Sequence, residues 1–309
     1  IVPDELKIAK ISPIFKANDA SNFTNYRPVS VLPLFSKLFE KVMYVRLEQH
    51  LKNYDILSPN QFGFRKGHST SMAISLFVEK IYDILEKRKF AITTFLDLSK
   101  AFDLVNHNYL LGKLEHYGIR GTALSWIRSY LQNRKQYVHY NNVKSSMLNI
   151  NCGVPQGSIL GPLFFIIYIN DLNQHINSLY ITLYADDTNI LISGDNIEDT
   201  VHELNANLNT LSQWFTANHL FINTSKTNFM VFSNKKSVVQ QNFNLKLDNT
   251  SIERVYKTKF LGIIIDSNLN WQHHISLINN KVSKIIGILV RLRPKVNTKL
   301  LITVYNTLI

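Results

Sequence analysis

Tyr180-Ile181-Thr182-Leu183-Tyr184-Ala185-Asp186-Asp187-Thr188-Asn189-Ile190-Leu191-Ile192 is the stretch on which the fold turns. Two short apolar runs, Tyr180–Tyr184 and Thr188–Ile192, predict strands joined hairpin-fashion through Ala185-Asp186-Asp187. Adjacent carboxylates in an apolar frame repel each other and lose hydration, so the pair persists mainly where cations occupy it. Taken alone, an Asp-Asp pair is also a common solvated turn. A third carboxylate shifts the balance. Ala91–Leu96 is another short β-rich run, and it delivers Asp97 at its end. If the strand ends lie side by side, three carboxylates converge on one point. Mg²⁺ suits carboxylate oxygens and keeps sites free for phosphate and water. Three such groups are the ligand set of a two-metal site for phosphoryl transfer.

Outward from this centre, the pattern predicts mixed helices and strands. Ser36–Lys52 carries Leu38, Val42, Val45, Leu47 and Leu51 at helical spacing, and Thr70–Lys87 is a second helix. Between them, Ser58-Pro59-Asn60 punctuates the chain and Gln61–His68 is a basic, glycine-containing loop. His107–Leu131 reads as helical with a break near Gly118–Gly121, and Lys135–Ile150 as a hairpin around Asn141-Asn142. After the turn-like Gly153–Gly161, the apolar Pro162–Leu172 predicts a buried helix opened by proline. Asp199–His219 is amphipathic through Val201, Leu204, Leu208, Leu211 and Phe215; Phe229–Phe232 and Phe260–Ile265 predict further strands. There is no regular strand–helix alternation, no internal repeat and no low-complexity tract, which favours α+β over a doubly wound sheet.

The chain has 309 residues, 45% of them hydrophobic, enough for one to two domains or one large domain with lobes. Its net charge of +12 favours a polyanionic partner, either nucleic acid or an anionic membrane surface. The longest apolar run, Leu163–Ile169, is far too short to span a bilayer. One cysteine, Cys152, excludes an internal disulfide and a cysteine-rich zinc site, and predicts a small packed residue rather than a nucleophile. His273-His274 is no metal pair, because neighbours on a helix point in different directions. From Ser267 onward there is no acidic residue, while Lys281, Lys284, Arg291, Arg293, Lys295 and Lys299 are basic. The chain opens without Met or a signal peptide and ends inside an apolar pattern, so we expect an excerpt of a longer polyprotein.

Phe95-Leu96-Asp97-Leu98-Ser99-Lys100-Ala101-Phe102-Asp103 resembles the first catalytic motif of non-LTR (LINE-type, jockey-like) retrotransposon reverse transcriptases. Gly153-Val154-Pro155-Gln156-Gly157-Ser158-Ile159-Leu160-Gly161-Pro162-Leu163-Phe164 is similar to their next motif, and the Tyr-Ala-Asp-Asp box is shared across reverse transcriptases. Asn25–Ser30 and Gln61–Arg65 resemble finger motifs of the same group. Asn223–Thr227 and Lys259–Gly262 complete the series in order. The resemblance implies an RNA-directed DNA polymerase of right-hand architecture, with fingers, an antiparallel-sheet palm and the start of a helical thumb. Fingers and palm would span residues 1–270, and the truncated thumb 271–309.

The same resemblance distributes roles. Asp97, Asp186 and Asp187, with the carbonyl of Leu98, would hold two Mg²⁺ ions, Mn²⁺ being the alternative. Arg65, Lys66, Gln156, Gly157 and Lys226 would meet the nucleotide, and the ring of Phe102 would exclude a 2′-hydroxyl. Asp103 would pair with a base or cap local backbone. Tyr184, Phe260, Leu261 and Gly262 would contact primer and template, and Lys281, Lys284 and Arg291 would follow their phosphates. Implied partners are an RNA template, a DNA primer or target DNA and dNTPs, with no membrane, in nucleus and cytoplasm. The endonuclease usual in such polyproteins has no counterpart in this chain. Two rival readings stand beside it: a binding-only relic, and another two-metal palm enzyme such as a nucleotidyl cyclase. The relic would have no reason to retain all three carboxylates, and the cyclase no use for finger motifs or a basic tail.

Overall fold

The computed structural model describes residues 1–16, 19–176 and 179–308. Along the chain run β1 (Ile8–Phe15), β2 (Tyr26–Val31), α1 (Leu34–Asn53), α2 (Thr70–Glu86), β3 (Phe90–Leu96), α3 (His107–His116) and α4 (Gly121–Leu131). Next come β4 (Arg134–Tyr140), β5 (Val143–Lys144), β6 (Leu148–Ile150), α5 (Leu160–Tyr168), β7 (Tyr180–Tyr184), β8 (Asp187–Gly194) and α6 (Ile197–Ala217). The last third holds β9 (Asn228–Phe232), α7 (Lys236–Gln240), β10 (Lys246–Leu247), β11 (Thr250–Ser251) and β12 (Glu253–Arg254). It continues through β13 (Lys257–Phe260), β14 (Ile263–Asp266), α8 (Gln272–Leu292) and α9 (Thr298–Leu308).

One sheet has the order β12-β9-β3-β8-β7, antiparallel except for the short β12, which lies parallel to β9. β3 is central and buried at every position but Phe95, as a strand covered on both faces must be. α5, apolar all round, is buried at eight of its nine residues, Pro162 being the exception. α6 backs the sheet through Leu204, Leu208, Leu211 and Phe215. A second cluster joins Phe77 and Ile81 of α2 to Phe260 and Ile265. The other sheet, β2-β1-β4-β5 with β6 on β4, is built from strands far apart in sequence; β1 and β2 were not legible in the pattern.

Three expectations need correction. α1 leaves Leu38, Val42 and Val45 exposed and buries Ser36 and Glu40 beside Leu47 and Leu51. The reason is polar. The Glu40 carboxylate accepts from the Tyr130 hydroxyl at 3.0 Å and from the Ile159 amide at 2.6 Å, which turns that face inward. Phe260–Ile265 is not one strand but the turn of the β13–β14 hairpin, with Leu261 at φ +46° and Gly262 at +93°. An apolar residue in the left-handed region hid that turn. The α5 helix stops at Tyr168, and a 3₁₀ segment, Asn170–His175, carries the chain onward.

The C-terminal pair differs from everything before it: α8 and α9 bury no residue among those described, and α8 touches β14 and α9. Ile309, the last residue of the expected tail, lies outside the described residues. Among the described residues no helix is long and apolar enough to cross a membrane.

Candidate active site

The register of the central sheet brings the acidic motifs together. Leu96 pairs with Thr188 and Tyr184 with Asp187, so the next step past β3 sets Asp97 opposite Asp187. The Asp97 carbonyl accepts from the Asn223 amide at 2.7 Å, and the Ser99 amide donates to the Phe221 carbonyl at 2.9 Å. Leu98, directly after Asp97, bridges to Ile222 in antiparallel sense.

Electrostatics record the crowding. The Asp187 residue stays open to solvent, yet its carboxyl is pushed up to about 6, first by desolvation against the sheet end, then by Asp186 and Asp97. The Asp186 carboxyl is also raised, chiefly by desolvation and further by Asp97, while the field of Arg27 opposes the shift. Lys226 Nζ lies 3.6 Å from Asp97 Oδ2. Two carboxyls with raised proton affinity, next to a third acid at the adjoining strand end, fit a hard divalent cation by their chemistry. Among the described residues, however, no three His, Cys, Asp or Glu groups are drawn together closely enough to cage an ion.

A cleft of about 250 Å³ opens beside Asp97 and Asp187, with Lys226, Leu261 and Gly262 in its wall. Phe260 is part of the same wall. Its ring is buried against Phe77 and Phe95, at 5.4 Å from each, so its side chain serves the core. Gly262 has open space in front of it; the glycine answers the turn geometry rather than internal crowding. Tyr184 is half-buried at the end of β7. Lys281, Lys284 and Arg291 are exposed on α8, and none of them lines the cleft.

The loop at 153–161 is clamped from three directions. Val154 donates to the Phe102 carbonyl at 2.8 Å, Ser30 donates to the Gln156 carbonyl at 2.7 Å, and Glu40 holds Ile159. Gly157 sits at φ +122°, and a Cβ there would lie 2.6 Å from the Ser30 carbonyl oxygen. Gln156 Nε2 donates to Asp103 Oδ1 at 2.9 Å, so Asp103 holds a side-chain amide rather than capping backbone. Phe102 is half-buried, stacked on Phe165 at 4.8 Å and edge-on to Phe64 at 6.1 Å. Cys152, expected to be packed, is exposed.

Arg65, expected to meet the nucleotide, braces its own loop. Its Nη1 donates to the carbonyls of Ser58 at 2.6 Å and Gln61 at 3.1 Å, and desolvation lowers its pKa. Loop carbonyls need donors, and this guanidinium supplies one. Lys66 is exposed beside it. The cation whose field reaches Asp186 is instead Arg27, in the Asn25–Ser30 motif. Arg27, Ser30, Glu40 and Gln61 were missed as site residues. Arg27 and Ser30 stood inside a recognised motif; Glu40 gave no signal of its own among the charged residues Lys37, Lys41, Arg46 and Glu48 of the same helix.

A family profile described as reverse transcriptase (RNA-dependent DNA polymerase) matches residues 14–265. The chain is 29% identical over 285 residues to the probable RNA-directed DNA polymerase from transposon X-element of Drosophila melanogaster, covering 91% of this chain and 31% of that protein. It is 28% identical to the RNA-directed DNA polymerase from mobile element jockey of the same species, covering 99% and 34%. The chain thus spans about a third of the length of these relatives. Among solved structures, telomerase from Candida tropicalis, in complex with a fragment of telomeric RNA, superposes with a TM-score of 0.61 at 14% identity. That match covers 88% of this chain and 45% of the telomerase, and it establishes the right-hand polymerase fold.

Proposed function

The chain belongs to the reverse transcriptase (RNA-dependent DNA polymerase) family, and we propose that it extends the 3′-hydroxyl of a DNA primer with deoxynucleotides copied from an RNA template. The observation that carries this reading is the meeting of Asp97 with Asp186-Asp187 at adjoining strand ends, with Lys226 beside them. Enzymes of this family use divalent metal ions; we assign two Mg²⁺ to Asp97, Asp186, Asp187 and the Leu98 carbonyl. Bound there, the ions would activate the primer hydroxyl and neutralise charge on the pyrophosphate.

The chain's own residues do the rest. Lys226 lies on the Asp97 side of the cleft, where an ammonium can meet the departing pyrophosphate. Arg27 and Lys66 are exposed cations on the finger side, suited to a triphosphate. Gln156, held by Asp103, and Gly157, pressed on Ser30, give the nucleotide pocket a fixed wall. Phe102, braced by Phe165, would exclude a 2′-hydroxyl. The Leu261-Gly262 turn offers backbone to the primer end, and Lys281, Lys284 and Arg291 offer cations to duplex phosphates.

The test is primer extension by the purified chain on an RNA template. Extension should require Mg²⁺ and stop when the metal is chelated. Synthesis that ignores the RNA strand, or that survives chelation, would overturn the proposal.

A further inference from the structure

The connection between β7 and β8 is strained at one residue. Tyr184 pairs with Asp187, so Ala185 and Asp186 form a two-residue loop, and of the two it is Ala185 that has positive φ, at +56°. That is the φ signature of a type II′ turn, whose first central position ordinarily belongs to glycine. A residue with a Cβ stays there only when its surroundings hold it. Ala185 is also 3% exposed, so its amide, at the tip of a hairpin, must find an acceptor inside the protein.

Gln61 supplies it. Its Oε1 accepts from the Ala185 amide at 3.0 Å and from the Gly63 amide at 2.8 Å, and Gln61 itself is 1% exposed. The backbone around it lies along β7: Phe62 donates to the Leu183 carbonyl at 2.8 Å, and Leu183 donates to the Asn60 carbonyl at 2.9 Å. Gly63 closes the tie, because a Cβ there would stand 2.3 Å from the Ala185 nitrogen. The loop that Arg65 braces therefore ends against the turn that displays Asp186 and Asp187.

We propose that Gln61 is a positioning residue, whose Oε1 holds the Ala185 turn so that Asp186 and Asp187 keep their placement relative to Asp97. Its consequence for catalysis rests on the polymerase reading above; its geometry does not. Gln61 touches no reacting atom. Losing the acceptor orphans a buried amide and frees a strained turn, and misplacement by about 1 Å at a reacting centre costs on the order of 100-fold in rate.

The experiment compares Gln61→Met, which keeps the length and removes the acceptor, with Gln61→Glu, which keeps an acceptor. A third variant, Gly63→Ala, leaves Gln61 intact and pushes on the turn. Each 309-residue chain is assayed for kcat, for KM toward dNTP and for hydrogen exchange at the Ala185 amide. Gln61→Met should lower kcat about 10- to 100-fold with KM within about threefold, and should speed exchange at Ala185 more than along the rest of β7 and β8. Gln61→Glu should restore the protection and most of the rate. Wild-type kcat or wild-type Ala185 protection in Gln61→Met would overturn the proposal, as would uniform loss of protection across both strands. If Gln61→Met does not fold, Gly63→Ala decides by the same two readouts. A wild-type chain that does not extend primers would defeat the polymerase reading, and Ala185 exchange would still decide the tie.

Discussion

α6 and α8 are both 21-residue amphipathic helices, and they end in opposite states. α6 buries eight residues and seals the back of the sheet whose strand ends carry Asp97, Asp186 and Asp187. α8 buries none, leaving Ile275, Ile278, Ile286, Ile288 and Val290 exposed together with Lys281, Lys284 and Arg291. Periodicity says which face a helix is able to bury; a partner surface decides whether it does. The first helix supports chemistry from behind by making the sheet rigid. The second offers charge, and under the proposed function its contribution would be to binding.

Separating synthesis from grip is the sharpest way to test that contrast. Asp186→Ala should lower single-turnover extension by about 10³-fold or more, since charge stabilisation at such sites contributes several kcal/mol. Its affinity for an RNA–DNA duplex should stay within about threefold. Replacing Lys281, Lys284 and Arg291 together by Gln should do the reverse. The slope of log affinity against log salt should flatten by about 2 to 3, while the extension rate at saturating duplex falls far less. An unaltered slope would mean that α8 does not follow phosphates.

Burial itself provides the next comparison. Leu208→Ala in α6 should cost about 2–5 kcal/mol in urea denaturation, because Leu208 is fully buried. Ile278→Ala in α8 should cost within about 0.5 kcal/mol. Equal costs would show that α8 is packed in solution. Phe102 stands between the two regimes, half-buried and stacked. Phe102→Val should lower the dNTP-over-rNTP ratio of kcat/KM on the order of tenfold, or ~1.4 kcal/mol. A constant ratio with a falling Tm would make the ring simple core packing.

The smallest effect is one of pH. Asp187, pushed up to about 6, and Asp186, also raised, bind more protons folded than unfolded, where the ordinary value is 3.8. The metal-free fold should therefore lose stability as pH rises from about 4 to about 6, and recover it on acidification. Added Mg²⁺ should offset that loss, so the gain in Tm from Mg²⁺ should grow as pH passes 6. A gain that is flat with pH would separate the metal from these carboxylates.

Much of the site was legible because its signals are local. Asp97 and the Asp186-Asp187 pair each follow an apolar strand, and the Asn141-Asn142 turn, with φ of 46° and 64°, stood out for the same kind of reason. Helices at 70–86, 107–116 and 197–217 were equally open to reading, since a period of 3.6 is written within a few turns. Leu261 escaped because an apolar residue carried a turn. The bonds of Arg65 to Ser58 and Gln61 were not legible, because a cation beside glycines looks alike whether it meets a phosphate or two carbonyls.

What the sequence determined by itself was the inventory: strands ending in carboxylates, a central apolar helix, a basic tail without acids. The tertiary structure alone decided who holds whom. Glu40 reaches Ile159 across 119 residues, Gln61 reaches Ala185 across 124, and Asp97 draws on Lys226 and Asn223 from beyond α6. Such pairings leave no periodic trace, because a hydrogen bond between distant segments depends on sheet register and on which helix face is buried. Both are settled only when the whole core packs.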